Sequence, residues 1–212
     1  MTAPSERVPA REPIGQAVAA AGTAVIAYNV NFYAGIALLL VLVTIWPPKV
    51  SWRPLAWRTV LAVYPPFLLL WLGFAIAYLR AMAAIDLPVP PQPLLDQLAH
   101  GGLALPNAGF ALFGIVVLAP VWEEILFRGY LFTALAAALP RLLTHLLTAA
   151  IFGLVHGLHY ALPIGVLALL FGWLRARHNA LLPSILAHAL HNGATVALAM
   201  AFPEALDWMY LR

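Results

Sequence analysis

Long apolar segments follow one another along almost the whole chain, with short breaks at proline, glycine or charged residues. The candidate helical segments are 14–46, 55–85, 104–119, 121–138, 142–159, 161–175 and 180–201. Several approach the ~20 apolar residues that a helix needs to cross a bilayer. The chain is 64% hydrophobic and only 9% charged, so a soluble fold could not cover its apolar surface. We therefore predict an all-α fold, a polytopic transmembrane helical bundle of about six to eight helices.

The first segment, 14–46, is longer than one straight span requires, and Asn29 and Asn31 lie near its middle. We expect either one tilted helix or an interfacial helix followed by a span. The preceding residues are polar, and no short apolar run with a small-residue cleavage site follows them. No cleaved signal peptide is therefore expected.

One polar, proline-rich connection divides the chain, the stretch DLPVPPQPLLDQLAHGG at residues 86–102. Residues 1–102 comprise anchoring helices and this loop, because their apolar runs contain no cluster of ionisable residues. Residues 103–202 contain every such cluster and form the candidate catalytic core. Residues 203–212 are expected to be a C-terminal tail.

Basic residues flank the apolar segments and lie in three loops, with Lys49, Arg53 and Arg58 in one, Arg141 in another, and Arg175 and Arg177 in a third. These loops share one side only if 104–119 and 121–138 together cross the membrane once, one of them as a partial or re-entrant helix. The positive-inside rule places that side in the cytoplasm. This placement suits contact with a lipid bilayer, and we expect no nucleic-acid partner.

The chain lacks the residues that several hydrolytic mechanisms require. The chain has no cysteine, which excludes disulfides, thiolate metal sites and cysteine nucleophiles. Ser184 precedes His188 by four residues, but there is no GxSxG elbow, and no aspartate is evident that would orient the histidine. An aspartyl mechanism is also disfavoured, because Asp86, Asp96 and Asp207 lie outside or at the edge of apolar segments.

The stretch PVWEEILFRGY, residues 120–130, places three charges within apolar sequence. On a helix, Glu124 and Arg128 share a face and can neutralise one another. Glu123 lies about 100° away around the helix and is free for another partner. The pair could be purely structural, but ionisable residues inside a membrane bundle are functional candidates by default.

Two further segments carry polar residues on apolar helices. In IFGLVHGLHY, His156 lies between glycines, and His159 follows one turn later. In SILAHALHN, His188 and Asn192 share one face, with His191 to the side. A lone histidine in such a helix is more often a core residue than a catalyst. Polar residues on three separate helices, however, can meet at one depth in a bundle.

A carboxylate and a histidine can hold a water molecule and take its proton, which fits Glu123 and His156. His188 and Asn192 can donate hydrogen bonds to the oxyanion that forms on the attacked carbonyl. This set suffices for amide hydrolysis without a covalent intermediate. Zinc bound by Glu123, His156 and His188 is the alternative, although there is no HExxH motif. We expect no cofactor, with zinc as the open alternative.

These residues form three motifs in order: EExxxR (Glu123, Glu124, Arg128), FxxxH (Phe152, His156) and HxxxN (His188, Asn192). Over roughly residues 105 to 200 the chain resembles the CPBP or Abi group of intramembrane proteases, which includes the type II CAAX prenyl endopeptidases. The resemblance implies a glutamic-type helical endopeptidase with a CPBP-like core. It also implies that Glu123 and His156 activate water, His188 and Asn192 stabilise the oxyanion, and Glu124, Arg128 and Phe152 support them.

The expected substrate is a membrane-embedded or lipidated peptide or protein, because a site among helices favours a partner already in the bilayer. The expected location is a prokaryotic plasma membrane. Two other classes of protein remain open. One is a catalytically silent immunity or binding protein that keeps the polar cluster for packing. The other is a transporter with a glutamate and histidine proton relay.

Overall fold

The computed structural model describes residues 11–29, 32–104 and 107–211. Within these ranges the chain forms nine helices and no β-strand, which confirms the predicted all-α bundle. The helices are α1 (Arg11–Asn29), α2 (Phe32–Ile45), α3 (Trp57–Ala84), α4 (Pro93–Gly101), α5 (Ala108–Ala138), α6 (Arg141–Val155), α7 (Ala161–His178), α8 (Leu182–Ala201) and α9 (Pro203–Met209). Their number differs from the predicted six to eight for three reasons. The predicted segments 104–119 and 121–138 form the single helix α5, and the predicted segment 14–46 is divided into α1 and α2. The short helices α4 and α9 were not predicted.

Helices α1 and α2 fold back on one another. The Gln16 side chain, near the start of α1, donates a hydrogen bond to the carbonyl of Pro47, just after α2, at 3.2 Å. Gly15 also lies against the ring of Trp46. In one uninterrupted helix these ends would be roughly 50 Å apart, at about 1.5 Å per residue. The first predicted segment is therefore not a single tilted helix; Asn31 and the side chain of Asn29 lie outside the described residues.

Helix α5 runs through Pro120, where the sequence predicted a break. Its 31 residues form one continuous apolar helix, so neither predicted half is a partial or re-entrant helix. Proline lacks an N–H and crowds the preceding turn. A π-helical turn at Gly114–Leu118 widens the helix just before it, with the N–H of Ala119 donating to the carbonyl of Gly114. The helix thereby accommodates the proline without ending.

Main-chain hydrogen bonds join the loop after α2 to the loop after α7. The N–H of Leu181 donates to the carbonyl of Ser51 at 2.9 Å, and the N–H of Leu182 to that of Trp52 at 3.1 Å. A single crossing by α5 brings the start of α6 to this same end. The end of the bundle that we call the basic end therefore carries Lys49, Arg53, Arg58, Arg141, Arg175 and Arg177.

Three helical stretches of the described chain are long and apolar enough to cross a bilayer: Trp57–Ala84, Ala108–Ala138 and Leu158–His178. Helices α8 and α9 meet at 104° and would form a fourth span if counted together. Helix α3 leaves Leu69 and Leu70 72% and 76% exposed, as expected of side chains that face lipid. The chain is an integral membrane protein.

Helices α6 and α7 form a close hairpin. A Cβ on Gly153 would lie 2.1 Å from the carbonyl oxygen of Ala161, so the two backbones touch there. Helix α6 ends at Val155, four residues before the predicted end, because Gly157 adopts φ 104°. A positive φ is accessible to glycine and stops the helix. His156 is thus the C-cap residue of α6 instead of a mid-helix residue.

Gly153→Ala should therefore destabilise the protein, because the added methyl group must push α6 away from α7. We expect a cost of about 1–3 kcal/mol in the free energy of unfolding, the usual range for overpacking. The matched control is Gly73→Ala in α3, where a Cβ meets nothing within 4 Å. Thermal unfolding of purified protein in detergent measures both. Equal unfolding temperatures for the two variants would contradict the close approach.

Candidate active site

A fully buried ion pair lies at the centre of the bundle. Arg128 Nη1 donates to Glu124 Oε1 at 2.8 Å, and both side chains are 0% exposed. Arg128 Nη2 donates to the carbonyl of Ala168 on α7 at 2.9 Å. Its guanidinium also lies over the rings of Phe152 and Phe171, at 4.5 and 5.3 Å from their centroids. The predicted pairing of Glu124 with Arg128 is present, and it joins three helices.

His188 lies between the two glutamates. Its Nδ1 is 3.0 Å from Glu124 Oε1, and its Nε2 is 3.8 Å from Glu123 Oε2. The imidazole stacks on the ring of Phe171 at 4.6 Å with an interplanar angle of 20°. Burial and these three contacts fix the ring in one orientation.

Glu123 faces away from the ion pair, as the helical spacing predicted. Its Oε2 lies 3.5 Å from Nε2 of His156 and 3.8 Å from Nε2 of His188. Both distances exceed those of an ordinary hydrogen bond, about 2.7–3.2 Å. This buried oxygen has no hydrogen-bond partner among the described residues. Glu123 Oε2 thus faces two imidazole nitrogens without an ordinary hydrogen bond to either.

The second nitrogen of each histidine determines where its proton lies. His156 Nδ1 is 2.7 Å from the carbonyl of Phe152, which can only accept a hydrogen bond. His188 Nδ1 contacts a carboxylate that is already paired with Arg128. Both Nδ1 atoms therefore carry the proton, and a neutral ring presents the lone pair of Nε2. Glu123 Oε2 thus faces two other acceptors, Nε2 of His156 and Nε2 of His188, and a shared proton or a bridging water molecule would make these contacts favourable.

Asn192 forms a hydrogen bond with a main-chain carbonyl that Pro120 leaves without a partner in its own helix. The π-helical turn uses the N–H of Ala119 for the carbonyl of Gly114. The next donor in that pattern is residue 120, a proline without an N–H, so the carbonyl of Ile115 loses its helical partner. Asn192 Nδ2 donates to this carbonyl at 2.9 Å. One amide hydrogen of Asn192 thus joins α8 to α5, and the other remains for a further partner.

Three other candidates from the sequence lie away from this cluster. Ser184 is buried and donates to the carbonyl of Leu181 at 2.9 Å, within its own helix. His159 lies in the exposed turn after α6. His191 packs edge-on against Trp71, with ring centroids 4.6 Å apart, and its Nδ1 is 3.5 Å from the hydroxyl of Tyr64.

Helix α3 contributes to the surroundings of the site, which the sequence did not predict. Trp71 and Tyr64 contact His191 on the helix that carries His188. Phe171 of α7 stacks on His188 itself. An aromatic residue in an apolar segment looks the same whether it faces lipid, the core or a catalytic ring, so these contacts had no sequence signal.

A group of potential metal ligands lies outside the cluster. Ligand atoms of Asp96, His100 and Asp207 all lie within 4.8 Å of one another. The main-chain oxygen of Asp96 and then the carboxylate of Asp207 raise the pKa of His100. The ion pairs hold when His100 is protonated and are lost as the pH rises through this raised pKa. The group joins α4 to α9 and is separate from the catalytic candidates.

The fold and the site define a helical intramembrane protein with a buried carboxylate and imidazole centre. Residues 105–194 match the family described as type II CAAX prenyl endopeptidase, Rce1-like. The match covers somewhat less than half of the chain, includes all three motifs, and confirms the resemblance. No curated protein and no solved structure matches the chain. The family match indicates an intramembrane endopeptidase of the CAAX type.

The bond from Asn192 to Ile115 can be tested by a double-mutant cycle with Pro120. Asn192→Ala leaves a carbonyl unsatisfied and should cost about 1–3 kcal/mol in the free energy of unfolding. In the Pro120→Ala background, the N–H of residue 120 is restored and can bond the carbonyl of Ile115. Asn192→Ala should then lower the free energy of unfolding by less. Unfolding of the four proteins in detergent gives the coupling. Additive effects would show that Asn192 does not compensate for Pro120.

Proposed function

We propose that the protein is an intramembrane endopeptidase that hydrolyses a peptide bond in a membrane-embedded or lipidated protein substrate. The observation that carries this proposal is the unpartnered Glu123 Oε2, which faces Nε2 of His156 and Nε2 of His188 at 3.5 and 3.8 Å. A water molecule bound here would donate its two hydrogens to two of these three acceptors, within the roughly 2–4 hydrogen bonds that a buried water makes. The family match supports the same assignment.

In the proposed reaction, Glu123 and His156 position the water and take its proton as its oxygen attacks the scissile carbonyl carbon. Phe152 holds His156 in place through its main-chain carbonyl. The proton later passes to the amine that leaves. No covalent bond between enzyme and substrate forms at any stage.

His188 and the second amide hydrogen of Asn192 are proposed to stabilise the oxyanion. Removing one such donor typically lowers turnover about a hundred- to a thousandfold. The double-mutant cycle separates this role from the contact with Ile115. If Asn192→Ala combined with Pro120→Ala unfolds like Pro120→Ala alone but still hydrolyses substrate at least about a hundredfold more slowly, the amide acts in catalysis. Recovery of turnover together with stability would leave Asn192 a purely structural role.

A cavity of about 470 Å³ offers a place for the apolar part of the substrate. Apolar side chains of α3, α8 and α9 form most of its wall, which also includes Trp71, His159 and Pro163. Trp71 also donates to the carbonyl of Pro163 at 2.8 Å. Trp71 links this cavity to α8, because its ring also packs against His191, three residues after His188.

The proposed location is a prokaryotic plasma membrane with the basic end in the cytoplasm. Lys49, Arg53, Arg58, Arg141, Arg175 and Arg177 at one end support this orientation through the positive-inside rule. Tags at position 49 and at the C-terminus, probed with a reagent that does not cross membranes, test it. Labelling of position 49 in intact cells would contradict a cytoplasmic basic end.

The two adjacent glutamates should respond differently to the same substitution. Glu123→Gln keeps the shape of the side chain but removes the base, so cleavage should fall by at least about a hundredfold while folding is retained. Glu124→Gln instead leaves the Arg128 charge unpaired and should cost about 3–5 kcal/mol of stability. Cleavage rate and thermal unfolding measured on both variants separate these effects.

A substrate for this comparison can be sought in cells that express wild type or Glu123→Gln. An uncleaved precursor should accumulate in the membrane proteome with Glu123→Gln and be cleaved when purified wild-type protein is added. Equal cleavage by folded wild type and folded Glu123→Gln would eliminate Glu123 as the base. Cleavage by neither protein, with no precursor in either membrane, would favour the non-catalytic or transport alternatives.

Zinc-dependent hydrolysis is the second candidate, and the donor set favours it in one respect. Glu123, His156 and His188 would be the ligands. The Nε2 lone pairs of the two histidines face Glu123 because each Nδ1 is engaged elsewhere. The ligand atoms of the three residues do not all lie within 4.8 Å of one another, so the side chains would have to move together to hold one ion. Zinc in this place would polarise the carbonyl and lower the pKa of a bound water. The roles of Asn192 and the ion pair would be unchanged.

Removal of metal distinguishes the two candidates. For water activated by Glu123 and His156, protein treated with a chelator should retain its cleavage rate and contain no stoichiometric zinc. A zinc enzyme would lose activity and regain it when zinc is returned. Elemental analysis beside the cleavage assay measures both quantities. About one zinc per chain that is required for turnover would overturn the metal-free mechanism.

A further inference from the structure

A second cavity, of about 330 Å³, lies at the basic end, where α5 ends, α6 begins and α7 ends. We propose that this cavity binds a phosphate-bearing anion, for which the structure provides Arg141, Arg175 and the start of α6. The site is separate from the catalytic cluster, and nothing in the proposed hydrolysis uses it. Its occupant would be the headgroup of an anionic phospholipid or free phosphate, which share this chemistry.

Arg175 is the first observation. It is only 9% exposed, and its three hydrogen bonds go to neutral acceptors: the carbonyl of Arg128, Oδ1 of Asn179 and Oγ1 of Thr133, at 3.2–3.3 Å. Within the described ranges no carboxylate forms an ion pair with it. Polar contacts of this kind orient a guanidinium but do not neutralise it, and a buried charge is costly without an opposite charge.

Arg141 is the second observation. It is the first residue of α6 and lines the same cavity, so its charge adds to that of Arg175. Arg175 lies in the last turn of α7, where the helix dipole favours a cation. This explanation does not apply to Arg141, because the N-terminus of a helix disfavours a cation. An anion between the two arginines would stabilise both.

The start of α6 is the third observation. Its N-cap residue is Pro140, and no side chain caps the first main-chain N–H groups. Thr144 of this first turn and Leu139, just before it, line the cavity beside Arg141. Free N–H groups and the positive end of a helix dipole suit an anion, and an arginine side chain can donate two hydrogen bonds to one phosphate. All three features converge on the same space.

The position of the cavity favours a lipid headgroup as its source of phosphate. It opens between helices at the ends of the spans Ala108–Ala138 and Leu158–His178, at the level where headgroups lie. Basic pockets between transmembrane helices on the cytoplasmic side are a known type of site for anionic headgroups. Arg175 also contacts the carbonyl of Arg128, so an occupant would stabilise the helix that carries the ion pair.

The test uses the purified full-length protein in nanodiscs of phosphatidylcholine, with or without phosphatidylglycerol. Phosphatidylglycerol should raise the unfolding temperature of wild type. Arg141→Gln should weaken this lipid's binding about five- to tenfold, since one cation near an anionic surface is worth about 1 kcal/mol. Arg141 is exposed, so the variant should fold. The matched control is Arg177→Gln, which removes an exposed charge from the same end but not from the cavity.

Inorganic phosphate titrated into pure phosphatidylcholine nanodiscs, against chloride at equal ionic strength, distinguishes the two sources. Stabilisation by phosphatidylglycerol that depends on Arg141 but not on Arg177 supports a headgroup site. The same dependence with phosphate alone supports a site for the free anion. Equal losses in Arg141→Gln and Arg177→Gln, or no stabilisation of wild type by either probe, would overturn the proposal.

Discussion

The buried pair of Glu124 and Arg128 is the interaction on which the rest of the site depends. Two charges removed from water cost several kcal/mol each, and a single Coulombic contact does not reliably offset this. Here the pair shares the cost with partners on other helices: the carbonyl of Ala168, the rings of Phe152 and Phe171, and the imidazole of His188. Four helices must therefore be in register before the pair becomes stable.

The same pair gives His188 its chemical state. Glu124 Oε1 is held by Arg128 and accepts a hydrogen bond from His188 Nδ1. Nε2 then faces Glu123, and stacking on Phe171 prevents the ring from turning away. The second glutamate of the EExxxR motif thus acts on the site through the orientation of a histidine on another helix.

Spacing on single helices predicted much of this site. The four-residue separation correctly predicted that Glu124 pairs with Arg128. The position of Glu123 about 100° around the helix correctly predicted that it faces other side chains, which are His156 and His188. The main errors involved backbone hydrogen bonds. Pro120 marks a break when read from the sequence, but a π-helical turn absorbs it and leaves the carbonyl of Ile115 to Asn192. No side-chain pattern indicates such a turn, so the contact between α5 and α8 was not predictable.

Contacts between helices were the other feature that could not be predicted from the sequence. His156 was placed within a helix, but the conformation of Gly157 makes it the last residue before a turn, and this allows its Nδ1 to reach the carbonyl of Phe152. The aromatic side chains of α3 that pack on His191 come from the half of the chain assigned to anchoring. One sequence specifies the periodicity of each helix but not the rotation of one helix against another.

The position of the proton on each histidine also bears on the order of events in the proposed hydrolysis. With each Nδ1 already protonated, His188 can donate from Nε2 only as an imidazolium. Before the water reacts, it donates its two hydrogens to Glu123 and His156, and Nε2 of a neutral His188 carries no hydrogen that it could donate to the scissile carbonyl. The proton that Glu123 takes from the water can pass to Nε2 of His188, which lies 3.8 Å from Glu123 Oε2, and Glu124 stabilises the resulting charge through Nδ1. His188 would then become a donor in the same step that creates the oxyanion, so the positive charge arises when and where the transition state requires it.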